Sequence, residues 1–161
     1  MSELRVDIAD LLAHPGARRE VHLEAALADL GTSTVHVAAD PPVQLDLLFE
    51  RVSDGIVVRG DVSAVWQAEC SRCLTDLEER MTRSVGELYE PEPIDGETYL
   101  LGAPELDLEQ LVRDVVLLEL PLAPHCGPDR AGQCADLAAA DDAADHSPTD
   151  PRWAALSELE L

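Results

Sequence analysis

The sequence predicts an α+β fold: an antiparallel sheet built on a long β-hairpin, a helix packed on one face, and a zinc-type cysteine site joining two loops. Three observations carry this reading. Two period-2 runs flank Ser53-Asp54-Gly55, one capped helical stretch ends at Pro121, and four cysteines fall into two loops.

From the N-terminus, Leu4, Val6 and Ile8 alternate with Arg5 and Asp7, which predicts a short strand. Ile8 to Ala13 suits one helical turn before the Pro15-Gly16 turn. Between Arg19 and Leu27, Val21, Leu23, Ala25 and Leu27 alternate with His22, Glu24 and Ala26. A second strand is the simplest reading there, although the Ala and Glu content also permits a helix. Gly31 to Val37, rich in Thr, Ser and Val, continues extended.

The hairpin follows Pro41-Pro42. Val43, Leu45, Leu47 and Phe49 share one face, and Asp54-Gly55 between alternating runs is a strong hairpin signal. The returning run sets Ile56, Val58, Val62, Ala64, Trp66 and Ala68 against Arg59, Asp61, Ser63, Gln67 and Glu69. From Asp76 to Tyr89, the four-residue repeat Leu77, Met81, Val85, Tyr89 fits either a helix face or every second inward strand position. Thr82, Val85, Gly86 and the Pro91 stop favour a third strand.

After an acidic loop from Glu90 to Thr98 and Tyr99-Leu100-Leu101, Asp107 is placed to cap a helix, with Gln110 completing a capping box. Leu108, Leu111, Val112, Val115 and Leu118 are its expected apolar stripe, and Pro121 its stop. Residues 1–134 are thus read as one α+β domain. Residues 135–149 form an acidic Ala/Asp-rich segment predicted to be disordered, and residues 150–161, with Trp153, a C-terminal docking segment.

Charge excludes several functions. The chain carries 33 acidic residues against 11 arginines and no lysine, a net charge of −22. Without lysine there is no Schiff-base or P-loop lysine chemistry. An acidic surface repels phosphate and gains little from counterion release, so tight nucleic-acid binding is disfavoured and a basic protein partner fits better. Five aromatic residues leave a core of Val, Leu, Ile and Ala. No apolar run approaches the roughly 18 residues of a membrane span, and Met-Ser-Glu-Leu-Arg lacks a signal peptide's apolar stretch, so the expected location is cytoplasmic, without membrane contact. In that reducing compartment cysteines are metal ligands or free thiols rather than disulfides.

Cys70-Ser-Arg-Cys73 has the spacing of a turn that points two thiolates at one ion. Cys126 and Cys134, seven residues apart, supply the other two, and Gly127, Pro128 and Gly132 let their loop bend. A shell filled by Cys70, Cys73, Cys126 and Cys134 is closed and structural, with zinc as the expected ion. His125 is an alternative ligand, and spare reduced thiols are the plainer explanation. A thiol-disulfide oxidoreductase using Cys70 and Cys73 is the alternative, but it expects a strand leading into a helix N-terminus. A direct RNA-binding face could use Arg51, Arg59, Arg72, Arg80 and Arg83, although most of these sit beside acids. Arg59, Arg72, Arg80, Arg83 and Trp153 are therefore kept as candidate binding residues. No Gly-rich phosphate loop, His-Glu-x-x-His or nucleophile elbow occurs, and the expectation is a non-enzyme.

In order along the chain, Cys70-Ser-Arg-Cys73-Leu74, Leu118-Glu-Leu-Pro121-Leu122-Ala-Pro124-His-Cys126 and Asp150-Pro-Arg-Trp-Ala resemble the YceD-type large ribosomal RNA subunit accumulation family. Val6-Asp-Ile-Ala-Asp-Leu11 and the Pro15-Gly16 turn extend the likeness across nearly the whole chain. The resemblance implies a small metal-binding protein needed for normal accumulation of large-subunit (23S) ribosomal RNA. Many such proteins carry extra cysteines in the second loop, where this chain has Arg130 and Leu137; four thiols remain, enough for one zinc. The expected partner is a basic ribosomal protein or a large-subunit assembly intermediate.

Overall fold

A computed structural model of the chain describes residues 3–102, 104–127 and 134. The segments assigned above to residues 135–149 and 150–161, and Trp153 with them, lie outside the described residues. In order come β1 (Arg5–Asp7), α1 (Ala9–Ala13), β2 (Arg18–Ala25), β3 (Val35–Val37), β4 (Val43–Arg51), β5 (Ile56–Glu69), β6 (Asp76–Glu90), β7 (Tyr99–Leu100), β8 (Glu105–Asp107) and α2 (Glu109–Glu119).

Among the described residues six strands make the main sheet. Its path is β2-β4-β5-β6-β7, with β3 paired to the far end of β5 beyond β4. All pairings are antiparallel except β6 with β7, where Tyr89 and Glu90 meet Tyr99 and Leu100 in parallel. The Asp54-Gly55 turn closes the β4–β5 hairpin as its sequence requires, and Val52 N–H donates to Gly55 O. The ambiguous stretch after the cysteine pair is indeed a strand. β6 pairs with β5 over fourteen positions, from Ile56↔Tyr89 to Glu69↔Asp76, so its four-residue repeat records alternate inward positions.

One face of the sheet is dry and the other wet. Val43, Leu45, Leu47, Phe49, Ile56, Val58, Val62, Ala64 and Trp66 are buried on the inner face. α2 packs there on β5 and β6, and α1 on β4. On the outer face polar side chains pair across strands: Arg18 with Glu50, Ser63 with Thr82, Asp61 with Ser84 and Gln67 with Glu78. Such alternation is what a sheet covered on one side demands.

A two-stranded ribbon, β1 with β8, was not foreseen. Its strands enter α1 and α2, and each entry uses the same device: Asp7 Oδ1 accepts from Ala9 N–H, and Asp107 Oδ1 from Glu109 N–H. Asp107 therefore satisfies one N–H at the start of α2, but the N-cap position falls on Leu108, one residue later than the sequence suggests, and no capping box forms, because Gln110 Nε2 donates to Asp114 Oδ1. Asp107 also pairs with Arg5 at 3.0 Å. Replacing Asp107 with alanine is expected to lower stability by about 1 kcal/mol. A chemical-denaturation midpoint reduced at unchanged m-value would show it.

The apolar stripe of α2 needs correction. Leu108, Leu111, Val112 and Val116 are buried, whereas Leu118 is 87 % exposed and Val115 half-buried. The last turn overhangs the packed layer. Glu119, which falls in line with the buried stripe, is itself exposed and reaches Arg83 at 3.7 Å. Among the described residues no helix is long and apolar enough to cross a membrane.

Candidate metal centre

At the far end of the β5–β6 ladder the chain turns through Cys70 to Thr75. The turn is closed twice by the backbone: Leu74 N–H donates to Cys70 O at 2.9 Å, and Cys70 N–H to Thr75 O at 2.8 Å. Leu74 sits at φ +59, the left-handed region. This folds Cys70 and Cys73 back toward one point, a consequence of the Cys-x-x-Cys spacing.

The second loop arrives from α2. Leu120 ends the helix in extended conformation, Pro121 blocks its continuation, and the chain runs through Pro124 to Cys126. Pro124 O accepts from Ser71 N–H at 2.8 Å, so the two loops are stitched by a backbone hydrogen bond beside the thiols. The sequence reading singled out neither Ser71 nor Thr75; a hydroxyl two residues past the second cysteine was the available signal for Thr75.

The structure brings all four cysteines together. Their sulfurs lie within 4.8 Å of one another, Cys70 and Cys126 buried, Cys73 and Cys134 half-buried. Cys70 Sγ is 3.5 Å from Cys134 Sγ and 3.8 Å from Cys126 Sγ, and Cys73 Sγ is 3.7 Å from Cys126 Sγ. A tetrahedral thiolate shell with metal–sulfur bonds of about 2.3 Å has edges of about 3.8 Å. The spacing matches such a shell and is far too long for disulfides, and the thiols are free. The donor set fits a thiophilic ion, so this cluster could hold a metal.

The electrostatics favour thiolate at Cys70 and Cys73 and oppose it at Cys126 and Cys134. Backbone N–H groups of Cys73 and Arg72 hold Cys70 down to about 5. Cys73 is lowered by the Thr75 hydroxyl, 3.3 Å from its sulfur. Hydrogen bonding to Cys126 and Cys73 raises Cys134 instead. Four crowded thiols cannot all ionise without a cation among them, and a divalent ion removes that conflict.

His125 stands outside the cluster: it is exposed, and its Nδ1 lies 3.3 Å from Ala123 O. The candidate arginines are not gathered on one face. Arg59 and Arg80 fall on the wet face, Arg80 bonded to Gln44 Oε1 at 3.2 Å. Arg83 is on the opposite face toward Glu119, and Arg72 is in the cysteine turn. Arg51 Nη1 donates to Gly55 O at 2.7 Å and so braces the hairpin turn. The cysteine pair lies between two strands, β5 and β6, rather than ahead of a helix N-terminus, so the redox reading lacks its supporting geometry.

A family model described as large ribosomal RNA subunit accumulation protein YceD matches residues 58–160, which include the cysteine pair, α2 and the second loop. The chain belongs to the YceD family. Two relatives are an uncharacterized protein of Mycobacterium tuberculosis and one of Mycobacterium bovis, each 36 % identical over 98 % of this chain and 82 % of their own length. Another, from Mycobacterium leprae, is 32 % identical over 99 % of this chain and 78 % of its own. No solved structure matches the chain. Membership in the YceD family points to a role in accumulation of large-subunit ribosomal RNA.

Proposed function

We infer that the protein is a cytoplasmic, non-enzymatic ribosome-biogenesis factor that supports large-subunit (23S) ribosomal RNA accumulation. Cys70, Cys73, Cys126 and Cys134 hold one zinc ion that staples the β5–β6 turn to the exit of α2. With four thiolates the coordination is complete, and the ion contributes cross-linking and charge neutralisation rather than an open position for water. The stapled end is presented to a basic ribosomal protein or a large-subunit assembly intermediate. The observation that carries this is the four-thiol cluster in a chain whose family is described by ribosomal RNA accumulation. The net charge of −22 supports a basic protein as the partner over naked RNA.

The test uses a host deleted for its own YceD-family gene. The ratio of large- to small-subunit ribosomal RNA should fall on deletion and recover with the wild-type chain. Cys70→Ser, brought to matched protein levels, should not restore it. Unchanged ratios on deletion would remove the ribosomal reading.

A further inference from the structure

Beside the thiol cluster lies a groove of about 810 Å³. Strand β3 lines it at His36, β5 and β6 at Gln67, Leu77 and Glu78, and the two stitched loops at Leu74 and Leu122. His36 Nε2 is 3.2 Å from Gln67 Oε1, and Gln67 Nε2 donates to Glu78 Oε2 at 2.8 Å, so a polar ladder crosses three strands beside apolar side chains. Among the described residues three carboxylates line the groove, those of Glu69, Asp76 and Glu78, and no arginine does.

Two of its three leucines, Leu74 and Leu122, are displayed at some expense. Leu122 is 90 % exposed and Leu74 70 % exposed, so neither contributes much buried area to the fold. Leu74 moreover occupies φ +59, which glycine adopts freely and leucine does not. A glycine would serve the turn better. An unfavourable backbone state occupied by a large exposed apolar side chain points to a use outside the fold.

We propose that this groove docks a basic peptide segment of a protein partner, with an apolar anchor seated between Leu74 and Leu122. Glu69, Asp76 and Glu78 meet the arginines or lysines that flank the anchor. Phosphate would meet the same carboxylates and be repelled, which sets RNA aside as the occupant. The proposal rests on the reading that a basic protein is the partner and gives that partner a surface.

The test titrates the zinc-loaded full chain into a fluorescein-labelled peptide alternating arginine and leucine, read by anisotropy. Saturable binding that weakens with salt is expected, and none to the same peptide with aspartate for arginine. Leu74→Gly should weaken binding about tenfold while the thermal midpoint holds or rises. Leu122→Ser should weaken binding similarly, and Leu100→Ser, an exposed leucine outside the groove, should leave it unchanged. Equal affinity in wild type, Leu74→Gly and Leu122→Ser would overturn the proposal, since the attraction would then be charge alone. Displacement of the peptide by single-stranded RNA would overturn it too. If the peptide fails to bind while the wild-type chain still restores ribosomal RNA, the groove assignment falls and the ribosomal reading stands. If leucine-dependent binding holds while deletion leaves ribosomal RNA unchanged, the groove stands and the ribosomal reading falls.

Discussion

Changing Cys126 to serine is expected to cost the domain its metal and lower the thermal midpoint by roughly 10 °C or more. Cys126 is buried, and two of its thiol neighbours, Cys70 and Cys73, belong to the other loop. A serine hydroxyl cannot supply the missing thiolate, so the remaining three sulfurs crowd around an incomplete shell. Among the described residues, local contacts such as Ser71 N–H to Pro124 O would then be left to join the loops. Differential scanning calorimetry of the variant beside wild type checks this. The proposed staple needs the ion, so excess chelator is expected to lower the wild-type midpoint toward that of the variant and leave the variant unmoved.

Gly60→Ala should be strongly damaging. Gly60 lies mid-way along β5 at φ +144, and a Cβ there would stand 2.0 Å from Asp46 O and 2.9 Å from Leu47 Cα. Both neighbours are backbone of β4, so no side-chain rotation relieves the clash. Relief requires β4 and β5 to separate at Leu47↔Gly60, between the buried Leu45 and Phe49. Strain in this part of φ space alone costs about 1–3 kcal/mol, and with the clash a loss of roughly 3 kcal/mol or more is expected. For a chain of this size that is a fall of about 6–12 °C in thermal midpoint. Gly86, opposite Arg59 on β6, has open space around its missing Cβ, and Gly86→Ala is the matched control expected to change little.

Much of this architecture is legible in the sequence, for identifiable reasons. Asp54-Gly55 between alternating runs fixes the hairpin and its register locally, and the alternation from Ile56 to Ala68 is strict enough to define the buried face of β5. The β1–β8 ribbon is not legible. Glu105-Leu-Asp is too short to carry a period, and its partner Arg5-Val-Asp lies about a hundred residues away. Leu118 misleads because helical periodicity assumes a helix covered along its whole length, whereas the last turn of α2 overhangs the packed layer. At the candidate site, the spacing of Cys70 and Cys73 announces half a shell, since the turn between them is local. That Cys126 and Cys134 complete it depends on where α2 ends over the β5–β6 ladder, a tertiary fact. The same holds for the groove: β3 reaches it only through the register Val35↔Ala68 to Val37↔Trp66.

The central claim is that two distant loops share one ion. It is tested most directly by zinc per chain, measured by elemental analysis on tag-free wild type, Cys70→Ser and Cys126→Ser. About one zinc in wild type, lost from both variants, is the result this account predicts. Wild-type protein without zinc, with its thiols open to alkylation under native conditions, would contradict it.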